Sequence, residues 1–228
     1  MTLEFRLSNL NNRNKINPLL NATRFNKCFM KKLFFEWFLA AFVFFMLSCR
    51  PHDVLSESIS IERLQSHVNE IKTIISDGKK YNPDVAFFID MSIPSGKNRF
   101  FVYDLKNSQI VDKGLVAHGS GSETAVVGKL KFSNVNNSLA TSLGKYAIGN
   151  SYEGKFGKAY RLHGLDKSNS KAFDRNIVFH KYDDVPYEEQ SGYICNSFGC
   201  PMVNEKYFNR LEKIIDNSEK SILMVIYY

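Results

Sequence analysis

The chain has 228 residues, enough for one well-buried domain with extensions, and its 44% hydrophobic and 23% charged residues are those of an ordinary globular fold. That balance excludes a disordered tail, a collagen-like chain and a multi-span membrane protein. The net charge of +7 does not mark a nucleic-acid partner: seven Lys/Arg against Glu4 and Glu36 put +5 of it in residues 1–48, leaving 23 basic and 21 acidic residues elsewhere.

Residues 1–29 are polar and Asn-rich, with no repeating apolar pattern. Met30 is followed by Lys31 and Lys32 and then by 15 residues, Leu33 to Leu47, broken only by Glu36. A spanning helix needs roughly 20 apolar residues, whereas a basic head, a short apolar body and small residues make a secretory signal peptide. The ending Met46-Leu47-Ser48-Cys49 resembles a bacterial lipobox, with Met46 where Leu is usual, and this implies lipid attachment at Cys49. An uncleaved anchor or a core helix is the alternative. Signal peptides begin near a true N-terminus, so translation is expected to start at Met30, with 1–29 a mis-assigned extension. The folded part is then expected to be exported: periplasmic and anchored to a membrane by lipid.

Beyond Cys49, residues 50–58 read as a short polar tether. Ile61, Leu64, Val68, Ile71 and Ile74 recur at helical spacing and predict a helix from Ser58 to Ser76, which Gly78 closes. From residue 81 onward the period changes. Val85–Ile93, Arg99–Leu105 and Ile110–Ala117 are rich in β-branched and aromatic residues and are separated by turn residues. Further strands are predicted at Lys145–Ile148, Lys158–Leu162, Ile177–His180 and Ile222–Tyr227. Asn204 is a candidate N-cap for a late helix carrying Tyr207, Phe208, Leu211, Ile214 and Ile215 on one face. Many short strands with one or two peripheral helices predict a mainly β domain over 81–228, a sandwich or barrel.

Chemistry concentrates near the C-terminus. Cys195 and Cys200 are spaced C-x4-C, which permits a small strained disulfide, a weak metal site or a nucleophilic thiol. The third reading draws on the neighbourhood. His180 ends an apolar strand-like run, and sixteen residues then separate it from Ser197-Phe198-Gly199-Cys200-Pro201. Gly199 frees the backbone to turn, Ser197 can hold that turn, and a nearby imidazole can take the thiol proton.

The order His180, Ser197-Phe198-Gly199-Cys200 is similar to the active-site pattern of the L,D-transpeptidases, in the secreted branch that reads S-x-G-C-P. The segments FFIDMSIPSGKNRFFVYDLKN, LVAHGSG, FSNVNNSLATSLGKYAIG, YRLHGLD and NIVFH, in that order, extend the resemblance over about residues 85–228. The resemblance implies an L,D-transpeptidase-like fold with Cys200 as nucleophile and His180 as general base. Gly199 and Cys200 then supply backbone N–H groups to the oxyanion, and Ser197 shapes the loop. It further implies peptidoglycan stem peptides as substrate, a thioester acyl-enzyme formed with loss of D-Ala, transfer to an amine, and no metal or organic cofactor. Phe198 replaces the His of the better-known pattern and Met202 its Arg or Asn.

Three further residues are candidates for substrate binding. His118 precedes Gly119 in a segment where the matched branch also carries a His; Arg161 suits a substrate carboxylate; His163 precedes Gly164 at a strand end. The acidic residues Asp183, Asp184, Glu188 and Glu189 read as a solvated loop or a lid over the cleft, and Cys195 as a spectator thiol. Two alternatives remain beside the transpeptidase: an L,D-carboxypeptidase on the same stems, and a catalytically silent cell-wall-binding lipoprotein.

Overall fold

A computed structural model describes residues 51–76 and 80–228 of the chain. The signal segment, Cys49 and the Met30 start therefore lie outside the described residues. Helix α1 runs Pro51–Ile75, followed by strands β1 (Tyr81–Asp90), β2 (Phe100–Asp104) and β3 (Gln109–Gly114). After a long irregular segment come β4 (Gly144–Gly154), β5 (Gly157–Gly164), β6 (Val178–Lys181), β7 (Met202–Val203), helix α2 (Glu205–Asp216) and β8 (Ser221–Tyr227). No described helix is long and apolar enough to cross a membrane.

The strands form one mixed sheet in the order β3-β2-β1-β8-β4-β5-β6-β7, parallel at β1/β8 and β6/β7 and antiparallel elsewhere. The segment that continues β3 bridges to β7 at Ala117–Met202, so the two edges of the sheet are brought together.

Alternation along the strands assigns the two faces. Phe87, Ile89, Val102, Met224 and Ile226 face one way, where Tyr207, Phe208 and Leu211 of α2 complete the core. Ala86, Phe88, Phe101, Leu223 and Val225 face the other way and meet Leu64, Val68, Ile71 and Ile75 of α1. The Asn204 side chain caps α2 by accepting the Lys206 N–H at 2.9 Å, as its position predicts.

Helix α1 differs from its prediction at its start. It is already helical from Pro51, the first described residue, so the part of the expected tether that is described is helical. Ile61 belongs to the predicted apolar stripe yet is 57% exposed. Two residues on, Arg63 meets the fully buried Asp90 carboxylate at 2.7 Å.

Candidate active site

Strand β6 holds the histidine. His180 pairs with Ala159 of β5 and with Met202 of β7, and Phe179 beside it points into the α2 core. Alternation therefore turns both His180 and Val178 to the opposite face. Cys200 arrives at that same strand two residues before Met202, and its sulfur accepts the Val178 N–H at 3.5 Å. Val178 and His180 are two strand positions apart, roughly 6.6 Å of rise. Thiol and imidazole both open into a cleft of about 290 Å³. Its walls carry the rings of Tyr152, Phe156 and Phe198.

The turn before Cys200 has one solution. Gly199 adopts φ +116°, and a Cβ there would lie 3.1 Å from both the Ala140 carbonyl oxygen and Ile177 Cδ1. Ser197 Oγ accepts the Gly199 N–H at 3.1 Å. The Ser197 N–H donates to the His118 carbonyl, and the Ser120 N–H donates to the Ser197 carbonyl, both at 2.8 Å. Close approach is required at Gly119 too, where a Cβ would sit 2.2 Å from the Leu139 carbonyl oxygen. Because Ser197 already takes the Gly199 N–H, the Cys200 N–H is the one of the two expected oxyanion donors with no partner among the described residues.

Protonation states follow from geometry. His180 is 6% exposed, and its Nδ1 lies 2.8 Å from the Lys181 carbonyl oxygen. A carbonyl only accepts, so Nδ1 carries the hydrogen and Nε2 keeps its lone pair. Burial holds the His180 pKa below the ordinary histidine value, against the opposing pull of that hydrogen bond. Phe156 stacks on the imidazole at 5.3 Å between centroids and 14° between planes. Burial pushes the Cys200 thiol up, while the Val178 N–H and the positive charge of Arg175 draw it down. Its S–H donates to the Asn176 carbonyl at 3.7 Å. The resting pair is a neutral thiol and a neutral imidazole.

The other candidates are distributed. The His118 ring is buried away from the cleft, held between Arg99 Nη2 at Nδ1 (2.8 Å) and Glu123 Oε1 at Nε2 (2.7 Å). Arginine only donates, which leaves Nε2–H to bond Glu123. Glu123 also accepts from Asn196, a cleft residue, at 3.3 Å, so His118 touches the cleft only through others. Arg161 stacks on the cleft ring Tyr152 at 4.6 Å and reaches Asn176 Oδ1 at 3.4 Å. His163 is exposed, stacked on Phe173 at 5.3 Å, and faces a separate hollow beside Gly149.

Cys195 and Cys200 are both free, and Cys195 packs half-buried against a small apolar cluster with Ala117 and Val185. Asp183, Asp184, Glu188 and Glu189 are all exposed, as a solvated loop predicts, and the segment is anchored at its end, where Glu189 accepts the Asn98 N–H at 2.8 Å and the Gln190 N–H donates to the Gly96 carbonyl at 2.9 Å. No group of three or more metal-ligating side chains occurs among the described residues. Sequence reasoning passed over Phe156 and Arg175. An aromatic held in a tight hairpin, Gly154-Lys155-Phe156-Gly157, was the available signal for the first; nothing local marks the second.

A family profile described as the L,D-transpeptidase catalytic domain matches residues 55–227, and the chain belongs to that family. Among solved structures it is similar to the L,D-transpeptidase from Xylanimonas cellulosilytica, at 13% identity and a TM-score of 0.35, over 64% of this chain and 65% of that one. It is also similar to the L,D-transpeptidase from Mycobacterium smegmatis, at 12% identity and a TM-score of 0.37, over 64% of this chain and 59% of that one. The helical cell shape determining protein Pgp2 from Campylobacter jejuni matches at 11% identity and a TM-score of 0.42, over 63% of this chain and 47% of that one. The aligned part thus spans about half to two thirds of those proteins. No curated protein matches the chain.

Proposed function

We propose that the protein is a peptidoglycan L,D-transpeptidase that works through the Cys200 thiol. The observation that carries this reading is the pairing on β6: a thiol cradled at Val178 and, two positions along the same face, an imidazole whose Nδ1–H is committed to Lys181 while Nε2 stays free to accept. Nε2 takes the thiol proton as sulfur attacks the carbonyl of the residue preceding D-Ala in a tetrapeptide stem. The free Cys200 N–H donates to the oxygen that gains charge. Collapse breaks the C–N bond, the departing D-Ala amine takes the proton from His180, and a thioester remains. An amine of a second stem gives up a proton to His180 and displaces the thiolate, restoring the enzyme. If water replaces that amine, the product is a trimmed stem and the enzyme is a carboxypeptidase. The exported, lipid-anchored location expected from residues 30–49 accords with such a substrate.

The test is incubation of the chain with a disaccharide-tetrapeptide, with intact mass and product analysis, beside Cys200→Ala. Release of D-Ala and an acyl adduct on the wild type alone are expected, and a cross-linked dimer identifies the amine as acceptor. No adduct and no release, with the Cys200 thiol confirmed free, leaves the cell-wall-binding reading in its place.

A further inference from the structure

Left-handed backbone is unfavourable for any residue with a side chain, and for a bulky one it persists only when its surroundings impose it. Three of the four non-glycine residues with positive φ among the described residues lie around one side chain. They are Asn137 (φ 60°), Leu139 (φ 54°) and Asn176 (φ 54°). Gly199, at φ +116°, packs against the same group: a Cβ there would be 3.4 Å from Arg175 Nη2.

The Arg175 guanidinium ties these segments together. Its Nη1 donates to the Ser133 carbonyl at 2.8 Å and to Ser142 Oγ at 3.2 Å. Its Nη2 donates to the Ala140 carbonyl at 2.6 Å and to Ser138 Oγ at 3.2 Å. All four acceptors are uncharged, so the guanidinium is half-buried with no carboxylate among its hydrogen-bond partners. A planar fork of donors is suited to holding several carbonyls and hydroxyls at once. The next residue, Asn176, supplies the carbonyl that takes the Cys200 S–H, and Val178 supplies the N–H that reaches the sulfur. The thiol thus lies against the segment Arg175 opens, with the charge on the loop side and the cleft on the other.

We propose that Arg175 is a positioning residue for the nucleophile: its fork holds residues 133–142 against the Gly199–Cys200 turn, and its positive charge stabilises the thiolate formed at Cys200. The proposal rests on Cys200 being the reactive thiol. The chain offers no arginine just after the nucleophile, where the apolar Met202 is buried in β7, so the cation comes from a different segment. Other titratable groups near the sulfur are His180, Tyr182, Tyr152 and Lys155 around the cleft and Cys195 in the apolar cluster behind it. Of all of these, the arginine is the group whose charge acts on Cys200 to favour ionisation.

The experiment is alkylation of the full chain with iodoacetamide across pH, with modification at Cys200 read by peptide mass spectrometry. Wild type is compared with Arg175→Gln, Arg175→Met and Arg175→Lys, and near-UV circular dichroism establishes folding. Two neutral replacements of different shape guard against a folding failure in either. Both are expected to raise the alkylation midpoint by about one pH unit and to slow the reaction about tenfold near neutrality. Arg175→Lys is expected to return the midpoint toward wild type, because it keeps the charge. A folded neutral variant with the wild-type midpoint overturns the proposal, and so does a Lys variant whose midpoint equals that of the neutral ones. A merely structural arginine would lower the melting temperature and leave the midpoint in place. Alkylation needs no turnover, so absence of D-Ala release tests the catalytic reading, whereas an unmoved midpoint tests this one.

Discussion

The half of the sheet built from β1, β2 and β8 and the half that carries the cleft share one apolar core but differ in the polar groups they bury. In the first, strand residues alternate between two apolar layers; Phe87, Phe88, Val102, Leu223 and Met224 have no solvent exposure. The second half also buries Tyr146, Leu162, Phe179 and Val203, but to these it adds most of the buried polar side chains: His118, Ser122, Thr141, Ser142, Asn169, His180 and Ser197. Positive φ at non-glycine residues follows the same division, with Asn137, Leu139 and Asn176 in the cleft half. Apolar burial is non-directional and tolerates small shifts, whereas a network of buried hydrogen bonds fixes atoms relative to one another. The shared core therefore supplies stability and the polar network of the cleft half adds placement, and substitutions should separate the two.

The largest effect is expected from Phe87→Ala. The ring is fully buried and meets Phe100 at 5.4 Å between centroids. Its removal should cost about 3–5 kcal/mol of unfolding free energy. Denaturant melts would measure this, while the pH midpoint of Cys200 alkylation in the folded fraction should stay at its wild-type value. A midpoint that moves with this remote core change would erase the proposed separation.

Gly199→Ala should do the reverse. An L-residue at φ +116° is strained, by about 1–3 kcal/mol for a sparsely populated backbone region, and its Cβ presses on the Ala140 carbonyl. The stability loss is thus expected to be smaller than that of Phe87→Ala. Turnover is expected to fall about a hundredfold, because a displacement of about 1 Å at a reacting atom has that effect. The measurement is D-Ala release per folded molecule, with the folded fraction taken from near-UV circular dichroism.

The same contrast explains what could be read from the sequence. Strands β1, β2 and β8 announce themselves because short runs rich in β-branched and aromatic residues, bounded by turn residues, are a local signal. Asn204 was legible as a cap for the same reason. Strand β7 was not: Met202–Val203 is only two residues long and is defined by its partners on β6. Cys200 and His180 were readable as a pair because they carry uncommon chemistry. Arg175 escaped notice because its five neighbours of interest, Ser133, Ser138, Ala140, Ser142 and Gly199, are 24 to 42 residues away in sequence, brought close only by tertiary folding. His118 was expected near the cleft because the matched branch carries a His in that segment, yet its ring serves to join Arg99 to Glu123, as a hydrogen-bonded strand-end histidine does.

The smallest expected effect concerns that buried histidine. Burial first, and the neighbouring Arg99 charge second, hold the His118 pKa below its ordinary value of 6.5, with Glu123 opposing. The unfolded chain therefore binds a proton between the folded pKa and pH 6.5 that the folded chain refuses. His180 shifts in the same direction. Stability is complete above the unfolded value and is lost as pH falls below it, at no more than about 1.4 kcal/mol per pH unit for each proton. His118→Gln offers an amide that can accept from Arg99 and donate to Glu123 without titrating. Melts of the two proteins at pH 7.5 and 5.5 should show a drop on acidification that is smaller in the variant. An equal drop in both would mean that the protein does not owe its acid sensitivity to His118.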